Sequence, residues 1–456
     1  MPVLSRIVHS RVTFLYRMVL IAYVCAYCPT NVLGVDATEL LAPYTPKVSD
    51  STRADLELAI DSFAMGDLDQ TRKRLLDVCA SESRVPSPGL LFAHMLEADR
   101  QTALARRELE RVARLLPDDP SSFLMLGEIE LKLGRFDEAE SWIQKSIDAG
   151  RRSRIERHRE LAIVTRIRIG YAAIGRYRQN WKSVVRLLKP VVEHDPRNMR
   201  AVGELARGLF REGDVEASYG LLRRHWELKD KSVRRPELSM AVLYEQSGDL
   251  RRAAHLLKLA IARSPRHAAT QTFVSKWALE HGDLETAQHC AERALIATNS
   301  SIDSRMLLAR AARFRGEMFL AREMLESVHL QAPDKTSPTI ELAIVLAQME
   351  GLENRGLRYA DLATKMDPSL DSKLGREAAI TKTWIGHRLS RPIDRSRTLR
   401  ALAAGDVNSE CLYFAAEVLI GFDRGAAKKL LEQALGSSEP FPSHAEAKEL
   451  YVTTSW

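Results

Sequence analysis

The chain has 456 residues, of which 45% are hydrophobic, 28% charged and only 6% aromatic, and its formal net charge is +7. This composition excludes collagen-like and disordered classes, and the low aromatic content favours helices packed through small residues. Three of the five cysteines, Cys79, Cys290 and Cys411, lie far apart beyond the N-terminal segment, which argues against a disulfide-stapled scaffold.

Residues 1–34 are predicted to be a signal peptide. Arg6, Arg11 and Arg17 precede an apolar run at residues 18–28, and small residues up to Gly34 suit a cleavage site. The run is shorter than the roughly 20 residues that a membrane-spanning helix needs. We therefore expect export to the periplasm or cell envelope of a bacterium. The alternative is an uncleaved segment that anchors the chain in the inner membrane.

Residues 35–51 are predicted to be a linker, because Pro43 and Pro46 interrupt any helical periodicity there. Cys25 and Cys28 form a Cys-x-x-Cys pair inside the preceding apolar run, without a second pair downstream. We do not interpret that pair as a metal or redox site.

The tripeptide Gly-Asp-Leu recurs and predicts a repeating unit. Exact copies begin at Gly66, Gly248 and Gly282, and the last two are 34 residues apart. Each copy separates two stretches with helical apolar spacing. We expect the glycine to end one helix in the left-handed conformation and the aspartate to cap the next helix. Such short helix pairs cannot bury their apolar faces alone, so the units must stack on one another.

These units resemble the tetratricopeptide repeat family. The unit from Arg234 has Ala241, Gly248, Ala253 and Pro265 at the positions of the family pattern. Units in the same phase begin at Thr52, Pro86, Pro120, Met199, Arg234, Ala268, Ile302 and Thr336. The resemblance implies an all-α fold, a right-handed α-solenoid of antiparallel helix pairs, across residues 52–441.

About eleven helix pairs are expected, with the pattern degenerate near residues 154–198 and 371–404. Gly405-Asp406-Val407 is out of phase, and we interpret it as a coincidental copy. Residues 442–456 are predicted to be a C-terminal capping helix and tail, because Ser443 and Glu446 have capping-box spacing and the last repeat needs a solvating cover.

The sequence carries no recognisable catalytic, cofactor-binding or metal-binding motif. Dinucleotide, phosphate-loop, serine-hydrolase and zinc-protease patterns are missing. His281 and His289 lie on either side of a predicted turn, but two histidines do not complete a site that needs three or four ligands. We therefore predict a protein that is not an enzyme and has no catalytic residues, no cofactor and no metal.

A basic segment, residues 151–186, contains eleven lysines and arginines and two glutamates. Arg152, Arg159 and Arg166 recur every seven residues and so share one helix face. The candidate basic patch comprises Arg152, Arg159, Arg166, Arg168, Arg176 and Arg178. Two interpretations stay open: arginine forks that bind an acidic partner, and a solvated face with internal salt bridges.

Tetratricopeptide repeats usually bind extended peptides in a concave groove lined by the first helix of each unit. The resemblance implies that the groove cations here are Arg200, Arg207, Arg211, Arg235, Lys276, Arg310 and Arg313. Glu245, Glu280 and Asp303 oppose them. In the preceding units the same positions give a more apolar lining, at Leu56, Ile60, Phe63, Leu90, Leu124 and Leu131.

These observations favour a non-catalytic scaffold or adaptor of the bacterial cell envelope that binds acidic or extended segments of other proteins in the groove. The alternative is a binder of an anionic polymer, nucleic acid or acidic polysaccharide, through residues 151–186. The export signal and the lack of interleaved aromatic side chains argue against nucleic acid. Membrane contact is expected only if the N-terminal segment stays uncleaved, and no pattern specifies an oligomeric state.

Overall fold

The computed structural model describes residues 40–41, 48–82, 85–153, 157–228, 234–298, 301–437 and 440–454. The predicted signal peptide and its Cys-x-x-Cys pair lie outside these residues. Across the described ranges all regular secondary structure is helical. None of the helices in those ranges combines the length and apolar character needed to cross a membrane.

The chain divides into two compact units, residues 1–228 (unit 1) and 229–456 (unit 2). Unit 1 contains five helix pairs in its described part. Their helices are α1 (Asp50–Ala64), α2 (Leu68–Ser81), α3 (Pro88–Ala98), α4 (Thr102–Leu115), α5 (Pro120–Lys132), α6 (Phe136–Arg152), α7 (Arg157–Tyr177), α8 (Trp181–His194), α9 (Met199–Arg211) and α10 (Val215–Leu228).

Unit 2 contains six helix pairs and a final single helix in its described part. Their helices are α11 (Pro236–Gln246), α12 (Leu250–Arg263), α13 (Ala268–Glu280), α14 (Leu284–Ala297), α15 (Ile302–Phe314), α16 (Met318–Gln331), α17 (Thr336–Ala347), α18 (Glu353–Met366), α19 (Lys373–Arg388), α20 (Arg395–Ala404), α21 (Ser409–Leu419), α22 (Arg424–Gly436) and α23 (His444–Thr453). Odd-numbered helices up to α21 are the first of each pair, and even-numbered helices are the second.

The recurring tripeptide forms the turn inside a pair. Gly248 has φ +86°, a left-handed conformation that costs glycine little, and Asp249 Oδ1 accepts a hydrogen bond from Arg252 N at 3.0 Å. Asp67 and Asp283 cap α2 and α14 in the same way. Glycines with φ between +73° and +90° close the first helix at Gly66, Gly134, Gly213, Gly248, Gly282, Gly316 and Gly351. The predicted turn chemistry is confirmed.

Three turns reach the left-handed conformation without glycine, at Arg100, Gln179 and Ser390. The copy at Gly405 differs from the others, because its φ is +150° and α21 is capped by Asn408, whose side chain accepts from Cys411 N at 2.8 Å. Asp406 instead offers its backbone carbonyl to Arg376. The interpretation of this tripeptide as a coincidental copy is therefore confirmed.

Small residues occupy the seam of a pair, as the repeat pattern predicts. Ala241 and Ala253 are buried and pack with Leu257 and Ala260 in one cluster between α11 and α12. A methyl group at each position allows the helix backbones to approach closely. The buried surface of each pair is completed by the neighbouring pair, since Val274 of α13 belongs to the same cluster.

Two local predictions need correction. Leu40 and Leu41, within the predicted linker, are helical and buried in the core of unit 1, because their apolar side chains pack against it. Ser443 does not form the predicted capping box: its hydroxyl donates to Glu410 Oε1 at 2.9 Å, and no side-chain hydrogen bond caps α23. The carboxylate of Glu410, which is distant in sequence, binds this hydroxyl, and the hydroxyl does not cap the backbone amides of α23.

The thiols of Cys79, Cys290 and Cys411 are all free. Burial raises the pKa of Cys79 to about 12 and that of Cys290 to about 11, so neither carries an appreciable thiolate fraction at neutral pH. These side chains act as small apolar groups in the packing of the helices.

Candidate partner-binding site

A pocket of about 530 Å³, here called the inner pocket, lies in unit 2 on the face shared by the first helices. Helices α13, α15, α17 and α19 and the start of α21 each contribute side chains, and residues 440–442 form another wall. First helices lie side by side when helix pairs stack, so residues distant in sequence meet on this face. The pocket thus lies on the helix face where the family resemblance places a groove.

Arg313 lies at the floor of the inner pocket with only 3% of its side chain exposed. Its Nη1 donates to Glu341 Oε2 at 3.0 Å, and its Nη2 donates to both carboxylate oxygens of Glu410 at 2.8 and 2.9 Å. Burial alone would lower the pKa of Arg313, but the charges of Glu410 and Glu341 outweigh it and raise the pKa. The guanidinium therefore ties α15 to α17 and α21.

Glu341 receives a second guanidinium from Arg310, whose Nε donates to its Oε1 at 2.7 Å. Burial by itself would raise the pKa of Glu341, but the positive charges of Arg310 and Arg313 outweigh burial and hold the pKa below its usual value. The carboxylate is consequently ionised and fully engaged at neutral pH.

Two of the predicted groove cations are structural and are not available to a partner. Arg313 is enclosed by the two glutamates, and Arg235 is also buried, with its Nε bonded to Glu237 Oε2 at 3.1 Å and its Nη1 to Ser264. A buried guanidinium must be paired, because leaving it unpaired is costly. The inclusion of both residues in the partner-binding set is therefore wrong.

The rim of the inner pocket carries the accessible cations. Lys276 is exposed and makes no ion pair with a described residue, and Arg310 keeps half of its side chain exposed. Lys373 is 59% exposed and stands 3.9 Å from Glu377, which is itself 9% exposed. Glu280 is the exposed acid at this rim. A partner therefore meets mainly positive charge at the surface of the pocket.

Sequence reasoning missed Lys373, because it lies in the degenerate stretch where the repeat phase is lost. It also missed the wall formed by residues 440–442, in which Phe441 is buried and packs edge-on against His444. Ser443 fixes this segment through Glu410 and accepts a hydrogen bond from Gln348 at 3.2 Å. The sequence feature that could have indicated this wall is Phe441, an apolar residue between Pro440 and Pro442.

The three predicted groove arginines of α9 lie in unit 1. Arg200 is exposed, whereas Arg207 Nη1 pairs with Glu204 Oε1 at 2.7 Å. Glu204 also accepts from Arg176 at 2.8 Å, and Arg211 lies over the ring of Trp181 at 5.8 Å from its centroid. This carboxylate offsets part of the positive charge that the sequence predicts for α9.

Five of the six arginines in the basic patch form ion pairs with carboxylates of the same chain. Arg159 donates to both oxygens of Asp119 at 2.8 and 2.9 Å, and Arg166 forms two bonds to Glu128 at 2.9 and 2.7 Å. Further ion pairs join Arg152 to Asp118, Arg176 to Glu204, and Arg178 to Asp137 and Glu140. All six carboxylates lie outside residues 151–186. The salt-bridged interpretation of this face is therefore the one the geometry favours.

The apolar lining predicted for the early units is wrong. Five of the six residues are buried in the core of unit 1: Leu56, Ile60, Phe63, Leu90 and Leu124. These side chains fill the space between stacked pairs and so cannot line an open groove.

Metal-ligating side chains do not converge in the described part of the chain. No cluster of three or more histidine, cysteine, aspartate or glutamate side chains there has the arrangement of a metal site. His281 is engaged locally, since it stacks on Trp277 at 4.0 Å between ring centroids and its Nε2 lies 3.3 Å from Glu245 Oε1.

Residues 90–153 match the sequence profile of the family described as tetratricopeptide repeat. No curated protein matches the chain. Solved structures with a similar fold include yeast Tom70, at 12% identity and TM-score 0.36, covering 88% of this chain and 95% of that one.

Two further similar structures are the APC/C hetero-tetramer Cut9-Hcn1, at 13% identity and TM-score 0.38, with 96% and 95% coverage, and PilW, a type IV pilus biogenesis factor, at 14% identity and TM-score 0.36, with 49% and 99% coverage. Scores this low carry no information about partners. The match covers residues 90–153, and helix pairs outside that range, such as α11 and α12, show the same glycine turn and alanine seam. Residues 90–153 of this chain therefore belong to the tetratricopeptide repeat family, and the described helix pairs have the fold of such repeats.

Proposed function

We propose that the protein is a non-catalytic interaction scaffold whose inner pocket binds an extended, acidic segment of a protein partner. The observation that carries this proposal is the separation of charge in the pocket: Glu341 and Glu410 are paired with Arg313 inside it, while Lys276, Arg310 and Lys373 outnumber the exposed Glu280 at the rim. Family resemblance supports the scaffold role in general, since tetratricopeptide repeats commonly bind peptides and proteins.

The chemistry of the rim selects an acidic segment. Rim cations attract carboxylates over a distance set by ionic strength, and they increase association rates more than they increase affinity. Phe314 and Leu374, which are both partly exposed, line the same pocket and offer an apolar surface for the body of the segment. An extended peptide with acidic residues flanking one apolar side chain satisfies both features.

We also propose that the protein acts in the bacterial cell envelope, either in the periplasm or anchored to the inner membrane. This location depends on the charged and apolar pattern of residues 1–34. N-terminal sequencing of the chain recovered from its host distinguishes the two forms, because cleavage near Gly34 removes the apolar run.

Crosslinking followed by affinity capture tests the pocket. The double variant Lys276→Glu/Lys373→Glu is expected to lose partners that the wild-type chain captures, because the rim becomes acidic. Lys258→Glu/Lys429→Glu is the matched control, with the same charge change at exposed positions of α12 and α22 in the same unit. Identical partner lists for the two double variants would refute the assignment of the inner pocket.

A third variant, Arg200→Glu/Arg207→Glu/Arg211→Glu, applies the same test to α9. Loss of partners only with this variant would move the binding site to unit 1. Binding to an anionic polymer through residues 151–186 is less well supported, because five of the six arginines of the basic patch are already paired with carboxylates. Such binding would weaken steeply with salt and would not depend on the sequence of the polymer.

A further inference from the structure

Unit 2 has a second and larger pocket, of about 1000 Å³, whose lining residues are all different from those of the inner pocket. Helix α18 forms one wall, α19 forms the opposite wall, and residues 391–394 with the start of α20 close one end. We refer to it as the α18–α20 pocket. The proposed partner-binding role does not use it.

The pocket arises where the repeat departs from the family pattern. Helix α19 ends at Arg388, and Ser390 takes φ +53° to turn the chain into the segment at residues 391–394. Gly386 allows that segment to approach α19, because a Cβ there would lie only 2.9 Å from Ile393 Cγ2. The segment is thus packed against α19 as part of the pocket wall.

Four cationic side chains line the pocket, at Arg358, Lys382, Arg391 and Arg397, together with two carboxylates, Asp361 and Asp394. Both carboxylates are already engaged. Asp361 bonds to Lys365 and Lys382 at 2.7 and 2.6 Å, and these hydrogen bonds hold its pKa below the usual value. Asp394 accepts from Ser396 Oγ and Arg397 N at the start of α20.

Two of the guanidinium groups have N–H donors that are not hydrogen-bonded to a described residue. Arg358 is exposed and makes no ion pair with a described residue. The Nε of Arg397 is buried and has no hydrogen-bond partner among the described residues. A buried donor without an acceptor costs free energy, so a shift of this side chain that lets a ligand oxygen accept from the Nε would be stabilising.

The remaining wall is apolar, with Leu357, Ala379 and Ile393 on it. Pockets that hold small molecules typically enclose about 300–1,000 Å³ and combine an apolar lining with a few polar groups that fix orientation. The size and lining of the α18–α20 pocket correspond to that description, with positive charge as its polar component.

We propose that the α18–α20 pocket binds a small organic anion, in which an apolar body carries a phosphate or carboxylate group. The acidic oxygens contact Arg358 and Arg397, where planar guanidinium groups suit both kinds of acid. The apolar body lies against Leu357 and Ile393. The site is separate from partner binding and gives the scaffold a means of binding a small molecule.

Isothermal titration calorimetry of the full chain tests this site with phenyl phosphate, phthalate and phenol as probes. The first two carry the same ring with different acids, and phenol lacks a strong acid. We expect saturable binding of phenyl phosphate, phthalate or both, and none of phenol. Binding of only one acid identifies the acid group that the site prefers. Failure of both acids to bind, or equal binding of phenol, overturns the proposal.

Variants locate the binding. Arg358→Gln/Arg397→Gln is expected to weaken binding at least tenfold, whereas Lys258→Gln/Lys429→Gln, with the same loss of charge elsewhere in unit 2, leaves it unchanged. The exposed single variant Arg358→Gln decides the result if the double variant fails to fold. Unchanged affinity in Arg358→Gln and in the double variant overturns the assignment to this pocket. Partner capture is a separate measurement, so failure here leaves the proposed function intact.

Discussion

Arginines in the two units have different consequences for the fold, although the sequence makes both groups candidates for binding a partner. In unit 2, Arg313 is enclosed between Glu341 and Glu410. In unit 1, Arg159 and Arg166 of α7 form equally short ion pairs with Asp119 and Glu128 but remain partly exposed. Burial, and not the length of the hydrogen bonds, separates a structural charge from a surface charge.

The physical basis of this contrast is desolvation. Removing one member of a buried ion pair leaves its partner charged in a poorly solvated site, which typically costs about 3–5 kcal/mol. Removing one member of an exposed pair lets water replace it and typically costs about 0–1 kcal/mol. The comparison therefore predicts unequal effects for the same substitution at different arginines.

The largest effect is expected for Arg313→Gln. The substitution leaves Glu341 and Glu410 without their shared counter-charge, and we expect a loss of about 3–5 kcal/mol in the free energy of unfolding of unit 2. Urea denaturation followed by circular dichroism measures it. Arg310→Gln is the control, since it contacts the same Glu341 from a half-exposed position, and about 1 kcal/mol or less is expected. Equal losses would contradict the contrast.

Acid pH provides a second test of the buried network. The pKa of Glu341 is lowered in the folded state, so its stabilising contribution is complete above the ordinary glutamate pKa and is lost as pH falls through the folded-state pKa. The effect is smaller than that of Arg313→Gln because a protonated Glu341 still accepts a hydrogen bond. Denaturation midpoints from pH 7 to pH 3 should fall less steeply for Glu341→Gln than for the wild type. Parallel profiles would exclude Glu341 as a source of acid sensitivity.

Ala253→Leu tests burial at an apolar position. Ala253 is fully buried between α11 and α12, so added methyl groups overpack the seam by about 1–3 kcal/mol. Ala262→Leu, on the exposed face of the same α12, should change stability by about 0.5 kcal/mol or less. Melting curves of both variants measure the difference, and an unchanged curve for Ala253→Leu would contradict the repeat register.

The smallest effect is expected at the surface of unit 1. Arg159→Gln removes the ion pair with Asp119, and we expect a loss of less than about 1 kcal/mol that shrinks further at high salt. Denaturation at low and high ionic strength measures both quantities. A loss of unfolding free energy comparable to that of Arg313→Gln would show that side-chain exposure does not determine how strongly these arginines stabilise the fold.

Much of the fold could be predicted from local patterns. The glycine turns and the alanines at the seams follow from residue type and a regular period, as at Gly248 and Ala253. The turns at Arg100, Gln179 and Ser390 could not be predicted, because a left-handed conformation in such residues has no local signal. Where the period fails, as around Lys373, positions on the first-helix face could not be assigned.

The candidate site was harder to predict because its bonds are not local. Arg313 and Glu410 are 97 residues apart in sequence, so the burial of Arg313 could not be deduced from the helix that carries it. The same applies to Arg159, whose partner lies two helices earlier. Residue type and repeat position predicted which side chains lie on the first-helix face. Contacts between stacked helix pairs determined which of those charged side chains are exposed.

Site-specific photocrosslinking directly tests whether a protein partner binds at the inner pocket. Benzoylphenylalanine would replace Lys276 at the rim of the inner pocket, or Lys258 on the exposed face of α12 as the control, in the full chain expressed in its native host. We expect discrete protein adducts from position 276 that are lost when Lys373→Glu is added, and none of those adducts from position 258. The same adducts from both positions, or adducts from position 258 alone, would contradict it.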